Sequence, residues 1–109
     1  MSSRSLLISD PALSFFVGAI RNRLGLRLKQ FILYGSKARG DDQVGSDFDC
    51  LLVVDEVTAA VNDSIDEAAG ETLYQFSAVM SAMAISEAKR SLQKFNPFLI
   101  NVLRDGVVL

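Results

Sequence analysis

Two aspartates separated by a single residue, Asp47 and Asp49, are the side chains of this sequence best suited to chemistry. They open an apolar run that extends to Val54 and is typical of a buried β-strand. Because alternate side chains of a strand point to the same face, the two carboxylates should project together. Neighbouring carboxylates repel each other without a cation between them, and Mg²⁺ prefers oxygen ligands and often shares its coordination with substrate phosphates. We therefore predict that Asp47 and Asp49 hold Mg²⁺.

A glycine–serine turn with two basic residues precedes the aspartates. Gly35 and Ser36 follow an earlier apolar run, and glycine lets the backbone approach a ligand closely. If Ser36 begins a short helix, its N–H and hydroxyl groups can hold a phosphate at the positive end of that helix. Arg39 can neutralise phosphate charge with its forked donors, and Lys37 can assist. We predict that these four residues bind nucleotide phosphates.

Each of these features has an ordinary structural explanation when it is taken alone. A Gly-Ser pair is most often only a turn, an isolated Asp-x-Asp can lie at a solvated strand end, and a single arginine is usually surface charge. The segment is not a P-loop, because no Gly-Lys-Ser/Thr follows at the required offset, and a calcium loop starting at Asp41 would place Leu52 where a bidentate Glu is needed. The combination, in this order and spacing, indicates phosphoryl or nucleotidyl transfer with Asp47 and Asp49 as catalytic residues.

The surrounding segments predict one α/β domain over residues 1–109, with three or four strands. The predicted elements are a helix from the Asp10-Pro11 cap to Gly25, strands over 28–34 and 47–54, a helix over 58–74, a strand over 76–85, and helices over 86–95 and 96–104. Residues 107–109 should be a short terminal strand or a tail. Residues 40–45 should form an exposed loop. Apolar spacing predicts the buried faces of the two longer helices, which are Leu13, Phe16, Val17, Ile20 and Leu24 in one and Val61, Ile65, Ala68, Ala69 and Leu73 in the other.

Composition excludes several other classes of protein. The net charge of −2 and the pI near 4.9 argue against a protein that binds nucleic acid through its overall charge. Residues 41–71 contain ten acids and no base, which we interpret mainly as a solvated helix face. Histidine is absent, so histidine-based acid–base catalysis and metal binding are excluded, and the single cysteine, Cys50, should be a small buried side chain. Neither a signal peptide nor an apolar run near ~18 residues is evident, so we expect a cytoplasmic protein without membrane contact.

The motif resembles the signature of the nucleotidyltransferase superfamily of DNA polymerase β. The resemblance rests on Gly35-Ser36, Ala38-Arg39-Gly40, Ser46 and Asp47-Phe48-Asp49, and the short chain and its ending over 96–107 are similar to the minimal nucleotidyltransferase branch. It implies a mixed sheet flanked by helices, with Mg²⁺ held by the two aspartates and Ser46 beside the nucleotide. It also implies that a nucleoside triphosphate, expected to be ATP, lies along the glycine–serine turn and donates a nucleotidyl group, expected to be AMP, to a protein or other hydroxyl acceptor.

The same resemblance implies a possible protein partner. Many members of the minimal branch are encoded beside a small helical HEPN-type ribonuclease, and some act as antitoxins that add AMP units to a tyrosine of that partner. A similar hetero-oligomer is one expectation for this chain, and self-association is another that the sequence leaves open.

One expected catalytic group is not apparent in the sequence. Active members of the superfamily usually carry a third carboxylate on a later strand, but no acid occurs from Thr72 through Ser86, which contains that strand. Glu71 and Glu87 flank the window and would reach the site only in a different strand register. Two alternatives to an enzyme therefore stay open: a catalytically silent nucleotide-binding or regulatory subunit, and a domain that serves only in assembly.

Overall fold

The structure, a computed structural model, describes residues 3–40 and 47–109. Along this part of the chain the elements are α1 (Ser3–Ile8), α2 (Pro11–Leu24), a 3₁₀ turn (Gly25–Arg27), β1 (Leu28–Tyr34), α3 (Gly35–Arg39), β2 (Phe48–Val54), α4 (Ala59–Phe76), β3 (Met80–Ser86), α5 (Glu87–Leu92), α6 (Pro97–Asp105) and β4 (Val107–Val108). The four strands form one sheet in the order β3-β2-β1-β4. β1 is antiparallel to β2 and to β4, whereas β2 and β3 are parallel. The predicted small mixed sheet flanked by helices is confirmed.

Helices cover the sheet on both faces and divide the core into two clusters. The α2–α4 face packs the buried side chains of those two helices against strand residues that include Phe31, Leu33, Phe48, Cys50, Leu52 and Val54. The α6 face is smaller and packs Leu99 and Val102 against Ile32, Leu51, Val53 and Ile85. Alternate residues of β2 thus enter different clusters, which is the consequence of the two-residue period of a strand.

Helix α2 forms as the sequence predicts. The Asp10 carboxylate accepts hydrogen bonds from the N–H groups of Ala12 and Leu13 at 2.9 and 3.1 Å, which caps the helix, and Pro11 occupies its first turn. The predicted apolar face is buried along its whole length. Gly25 ends the helix with a φ of 53°, a conformation that favours glycine.

The third strand begins later than the sequence predicts. Residues from Phe76 were expected to be strand, but α4 continues through Phe76 and β3 starts at Met80. Ser77 ends α4 in the left-handed conformation, with a φ of 54°, and its N–H donates to the carbonyl of Leu73. Apolar composition alone could not predict the end of α4, because the left-handed residue that ends a helix is usually glycine and here is a serine.

The buried face of α4 differs from the predicted one at its C-terminal end. Leu73 is 51% exposed, and Thr72 is buried in its place. The Thr72 hydroxyl donates a 2.8 Å hydrogen bond to the carbonyl of Ala68, so burial leaves no unsatisfied polar group there. Glu67 and Glu71, which are exposed as predicted, also pair with Arg23 of α2 and so join the two helices.

The chain end holds α6 against the sheet. Gly106 follows α6, and a side chain at this position would overlap the carbonyl of Val102 and the side chain of Ile32. β4 then pairs with β1, and the N–H of Leu109 donates to the carbonyl of Phe31 at 2.9 Å. The close approach at Gly106 therefore fixes α6 beside the end of β1, where the predicted functional residues lie.

Candidate active site

Gly35 brings the end of β1 against the Asp49 carboxylate. Tyr34 and Asp49 are paired across β1 and β2, so the turn that follows Tyr34 begins beside Asp49. A Cβ atom on Gly35 would overlap Asp49 Oδ2, and the residue has a φ of 76°, where side chains are strained. Both observations require glycine here. The glycine–serine turn therefore meets the Asp49 side chain in the fold.

The two aspartates lie on one side of the sheet with a serine from the neighbouring strand. Asp47 immediately precedes β2, Asp49 is its second residue, and Ser81 of β3 is the parallel-sheet partner of Asp49. The Ser81 hydroxyl donates to Asp47 Oδ2 at 3.1 Å. Phe48, between the aspartates, is buried on the opposite face, as alternation predicts. Three side-chain oxygen groups therefore converge at one end of the α6 face.

The position of Asp49 makes its negative charge unfavourable. Partial burial raises the pKa of the Asp49 carboxyl above its ordinary value, and the neighbouring charge of Asp47 raises it further. A cation between the two carboxylates would relieve both effects. The donor set, two carboxylates and a hydroxyl, consists of oxygen atoms and suits Mg²⁺, which usually completes its shell with waters and phosphate oxygens. Within the described residues no group of three or more histidine, cysteine or acidic side chains forms a fuller metal site.

Helix α3 carries the predicted phosphate-binding residues. It starts at Gly35, so Ser36 lies in its first turn, and no side chain caps the free N–H groups of that turn. Lys37 places its Nζ atom 4.6 Å from the centre of the Phe48 ring, a cation–π contact on the side of the α2–α4 cluster. Arg39 ends the helix and lines a cleft beside Gly35. Ser46, the remaining predicted site residue, lies outside the described residues, as does most of the predicted 40–45 loop.

A cleft between α3, the end of β1 and α6 opens next to the acidic pair. Its volume is about 140 Å³, and its lining residues are Tyr34, Gly35, Arg39, Phe98, Asn101, Val102 and Asp105. The Tyr34 and Phe98 rings meet edge to face with centres 5.6 Å apart. Burial, with smaller contributions from Asp49 and Cys50, raises the pKa of the Tyr34 hydroxyl, so this group stays protonated at neutral pH. A cleft with the aromatic walls of Tyr34 and Phe98 and the exposed amide of Asn101 at its rim can accept a nucleoside.

Sequence reasoning missed Ser81 and the cleft residues other than Gly35 and Arg39. Tyr34 directly precedes the glycine of the motif, and Phe98 and Asn101 belong to the helix that starts at Asn96-Pro97. Their adjacency depends on how α6 crosses the sheet, which no local pattern encodes. The only indication in the sequence was the aromatic residue Tyr34 beside the motif, and an aromatic residue next to a strand more often belongs to the core.

Neither glutamate considered as a third carboxylate lies at this site. Glu71 pairs with Arg23 between α2 and α4. Glu87 follows Ser86, whose partner is Val54 at the opposite end of β2. Ser86 lies five positions after Ser81 along the strand, which corresponds to about 17 Å at 3.3 Å per residue. β3 contains no acid, and its residue facing the aspartates is Ser81.

Comparison with known proteins identifies the family of this chain. A family model described as a nucleotidyltransferase domain matches residues 16–103, and the chain belongs to that family. It is 33% identical over 100 residues to a protein of Methanocaldococcus jannaschii named "Putative protein adenylyltransferase MJ0604", covering 92% of this chain and 96% of that one.

A solved structure supports the fold independently. The crystal structure of a toxin-antitoxin with AMP-PNP has a chain that superposes with a TM-score of 0.58 at 16% identity, covering 87% of this chain and 69% of the other. Because the identity is low, this likeness concerns the fold. In the described part of the chain, no helix has the length and apolar character needed to cross a membrane.

Proposed function

We propose that this protein binds a nucleoside triphosphate with Mg²⁺ and transfers its nucleotidyl group, AMP from ATP, to a hydroxyl group of a protein or other acceptor. The observation that carries the proposal is the Asp49 carboxylate packed against Gly35, with Asp47 beside it. This arrangement brings two predicted metal ligands to the turn predicted to hold phosphates. The adenylyltransferase name of the 33%-identical relative supports the choice of AMP.

Each residue has a role that its position can serve. Asp47 and Asp49 would hold Mg²⁺, which when bound neutralises phosphate charge and orients the phosphates. The N–H groups of the first turn of α3, together with Ser36, would hold phosphate oxygens, and Arg39 would neutralise charge at the mouth of the cleft. Lys37, held over Phe48, would contribute positive potential. Ser46 is included because it belongs to the sequence motif.

The proposed reaction requires little covalent chemistry from the protein. An acceptor hydroxyl oxygen bonds to the α-phosphorus, the bond from that phosphorus to the bridging oxygen breaks, and pyrophosphate leaves while the hydroxyl proton is released to water. The residues of the site would position the two reactants and stabilise charge. The Tyr34–Phe98 cleft is the place we propose for the nucleoside, since Gly35, where the phosphates would lie, is one of its lining residues.

A catalytically silent nucleotide-binding subunit is the second candidate. The specific observation that favours it is Ser81, a neutral side chain, facing the aspartates where active members of the superfamily usually have a third carboxylate. With two charged ligands, nucleotide binding can persist while the transfer rate is low.

We further propose that the acceptor is a protein partner in a toxin–antitoxin pair, with a small helical HEPN-type protein as the expected partner and self-association as the other possibility. The fold likeness to a toxin-antitoxin chain supports this class of role. Exposed apolar side chains near the end of α5, Leu92 at 86% and Phe95 at 80% exposure, offer surface for a partner. We expect the protein to act in the cytoplasm.

Transfer can be tested by incubating the protein with ATP labelled in the α-phosphate, Mg²⁺ and the partner encoded beside it. Label on the partner that is lost with Asp47→Ala supports the enzyme. Nucleotide binding without label transfer supports the silent subunit. Absence of both binding and transfer contradicts both candidates and leaves a role in assembly.

A further inference from the structure

Ser81 is the one described side chain of β3 that hydrogen-bonds to the acidic pair. Its hydroxyl donates to Asp47 Oδ2, and its backbone is in register with Asp49. The neighbouring residues of β3 on the same face are spaced by two, so the next one, Met83, lies beside the buried Leu51 and has no oxygen to offer.

This contact has two consequences for a cation site. First, Asp47 precedes β2 and is exposed, so its carboxylate is not held in place by strand packing. The bond from Ser81 therefore restricts its rotamers on the side that faces Asp49. Second, a hydroxyl contributes an oxygen without negative charge, so the site presents two charges to a divalent cation. Two carboxylates hold Mg²⁺ weakly unless phosphate oxygens complete the shell.

We propose that Ser81 is a positioning residue that sets the cation affinity of this site and makes cation binding depend on the nucleotide. This inference rests on the proposed function and specifies its regulation: the free protein binds little divalent cation, and the cation and the triphosphate enter together. Replacing the hydroxyl by a carboxylate would add a third charge at the same position, directly beside both aspartates. The cation would then bind without nucleotide.

The test measures Mn²⁺ binding in the absence of nucleotide, by the electron paramagnetic resonance signal of the free ion, for the wild type and three variants at position 81. Ser81→Asp should tighten Mn²⁺ binding by at least about tenfold, because an added charge at contact distance strengthens the site. Ser81→Ala should weaken it by about threefold, since the site is exposed and the lost hydrogen bond is partly replaced by water. Ser81→Thr keeps the hydroxyl and should restore the wild-type value.

A matched control separates a local effect from net charge. Ser91→Asp adds the same charge on the exposed surface of α5, beyond the opposite end of β3, and should leave Mn²⁺ affinity unchanged. Circular dichroism of each variant shows whether the fold is kept, and position 81 is exposed enough to accept all three substitutions. Equal affinity in Ser81→Asp and Ser91→Asp, or equal affinity in Ser81→Ala and Ser81→Thr, would overturn the proposal.

The same series distinguishes this inference from the proposed function. Binding of an ATP analogue with an uncleavable α–β bridge, measured by calorimetry with and without Mg²⁺, should require the cation in the wild type. Ser81→Asp should keep this requirement, because its three carboxylates repel the triphosphate when no cation is bound. If the analogue binds but Mn²⁺ affinity is the same in all the position-81 variants, the proposed role of Ser81 is wrong and the proposed nucleotide site is retained. If the analogue does not bind the wild type, the proposed function itself fails.

Discussion

Strand β2 contributes to both faces of the sheet, and the two faces are covered differently. On the α2–α4 face every side chain of the strand is buried, from Phe48 at its start to Val54 at its end. On the α6 face burial begins only at Leu51, and Asp49 stays partly open to solvent. Helix α6 is short and buries only Leu99 and Val102 against this face. The α2–α4 face therefore stabilises the fold along its whole length. The α6 face stabilises the fold at one end and contains the candidate active site at the other.

The largest effect on stability should come from the covered face. Leu52→Ala removes a fully buried side chain between the two long helices, and we expect a loss of about 3 kcal/mol in the free energy of unfolding. Asp49→Ala, three residues earlier on the open face, should lose far less. Urea unfolding followed by circular dichroism measures both. Comparable losses would mean that the acidic pair is part of the structural core.

Gly35→Ala tests the contact between the turn and the carboxylate. The added Cβ overlaps Asp49 Oδ2 and strains a residue with a φ of 76°, so we expect about 2 kcal/mol of destabilisation and loss of Mg²⁺-dependent nucleotide binding. Gly18→Ala in α2 is the matched control. Nothing lies within 4 Å of its Cβ position, and the helix should gain about 0.5–1 kcal/mol. A tolerated Gly35→Ala would contradict the close approach at the site.

Arg39→Ala tests whether the mouth of the cleft binds phosphate charge. Affinity for the triphosphate should fall about tenfold, because a charge-assisted hydrogen bond is lost, while the affinity for the uncharged nucleoside should stay the same. Calorimetric titration with ATP and with adenosine gives the two values. An equal loss of affinity for ATP and for adenosine would mean that Arg39 contacts the nucleoside rather than the phosphates.

The smallest expected effect is the pH dependence of stability that Asp49 confers. Because its pKa is raised in the folded protein, the folded state holds this proton more tightly than the unfolded state does. Stability from this group is therefore greatest below its ordinary pKa of 3.8 and falls as the pH rises through the raised folded value. Asp49→Asn should remove this decline, and saturating Mg²⁺ with nucleotide should offset it in the wild type. Thermal unfolding between pH 3 and pH 7 would show it, and identical profiles for the two proteins would contradict it.

The fold was largely predictable from local patterns, and the site only in part. β1 has the predicted bounds and α2 the predicted cap, because proline, glycine and apolar spacing determine both locally. The start of β3 was mispredicted because Ser77 takes a left-handed helix cap that its residue type does not announce. The meeting of Ser81 with Asp47 depends on a parallel register between strands separated by an 18-residue helix, which no sequence spacing specifies.

The central claim is tested most directly by the paired substitution of Asp47→Asn with Asp49→Asn. Both carboxylates are replaced by side chains of the same shape, and neither belongs to the buried clusters, so the fold should be retained. Calorimetric titration with an ATP analogue and Mg²⁺ should show binding weakened by at least about a hundredfold relative to the wild type, with a circular dichroism spectrum that is unchanged. Wild-type affinity in the double variant would contradict the assignment of this site.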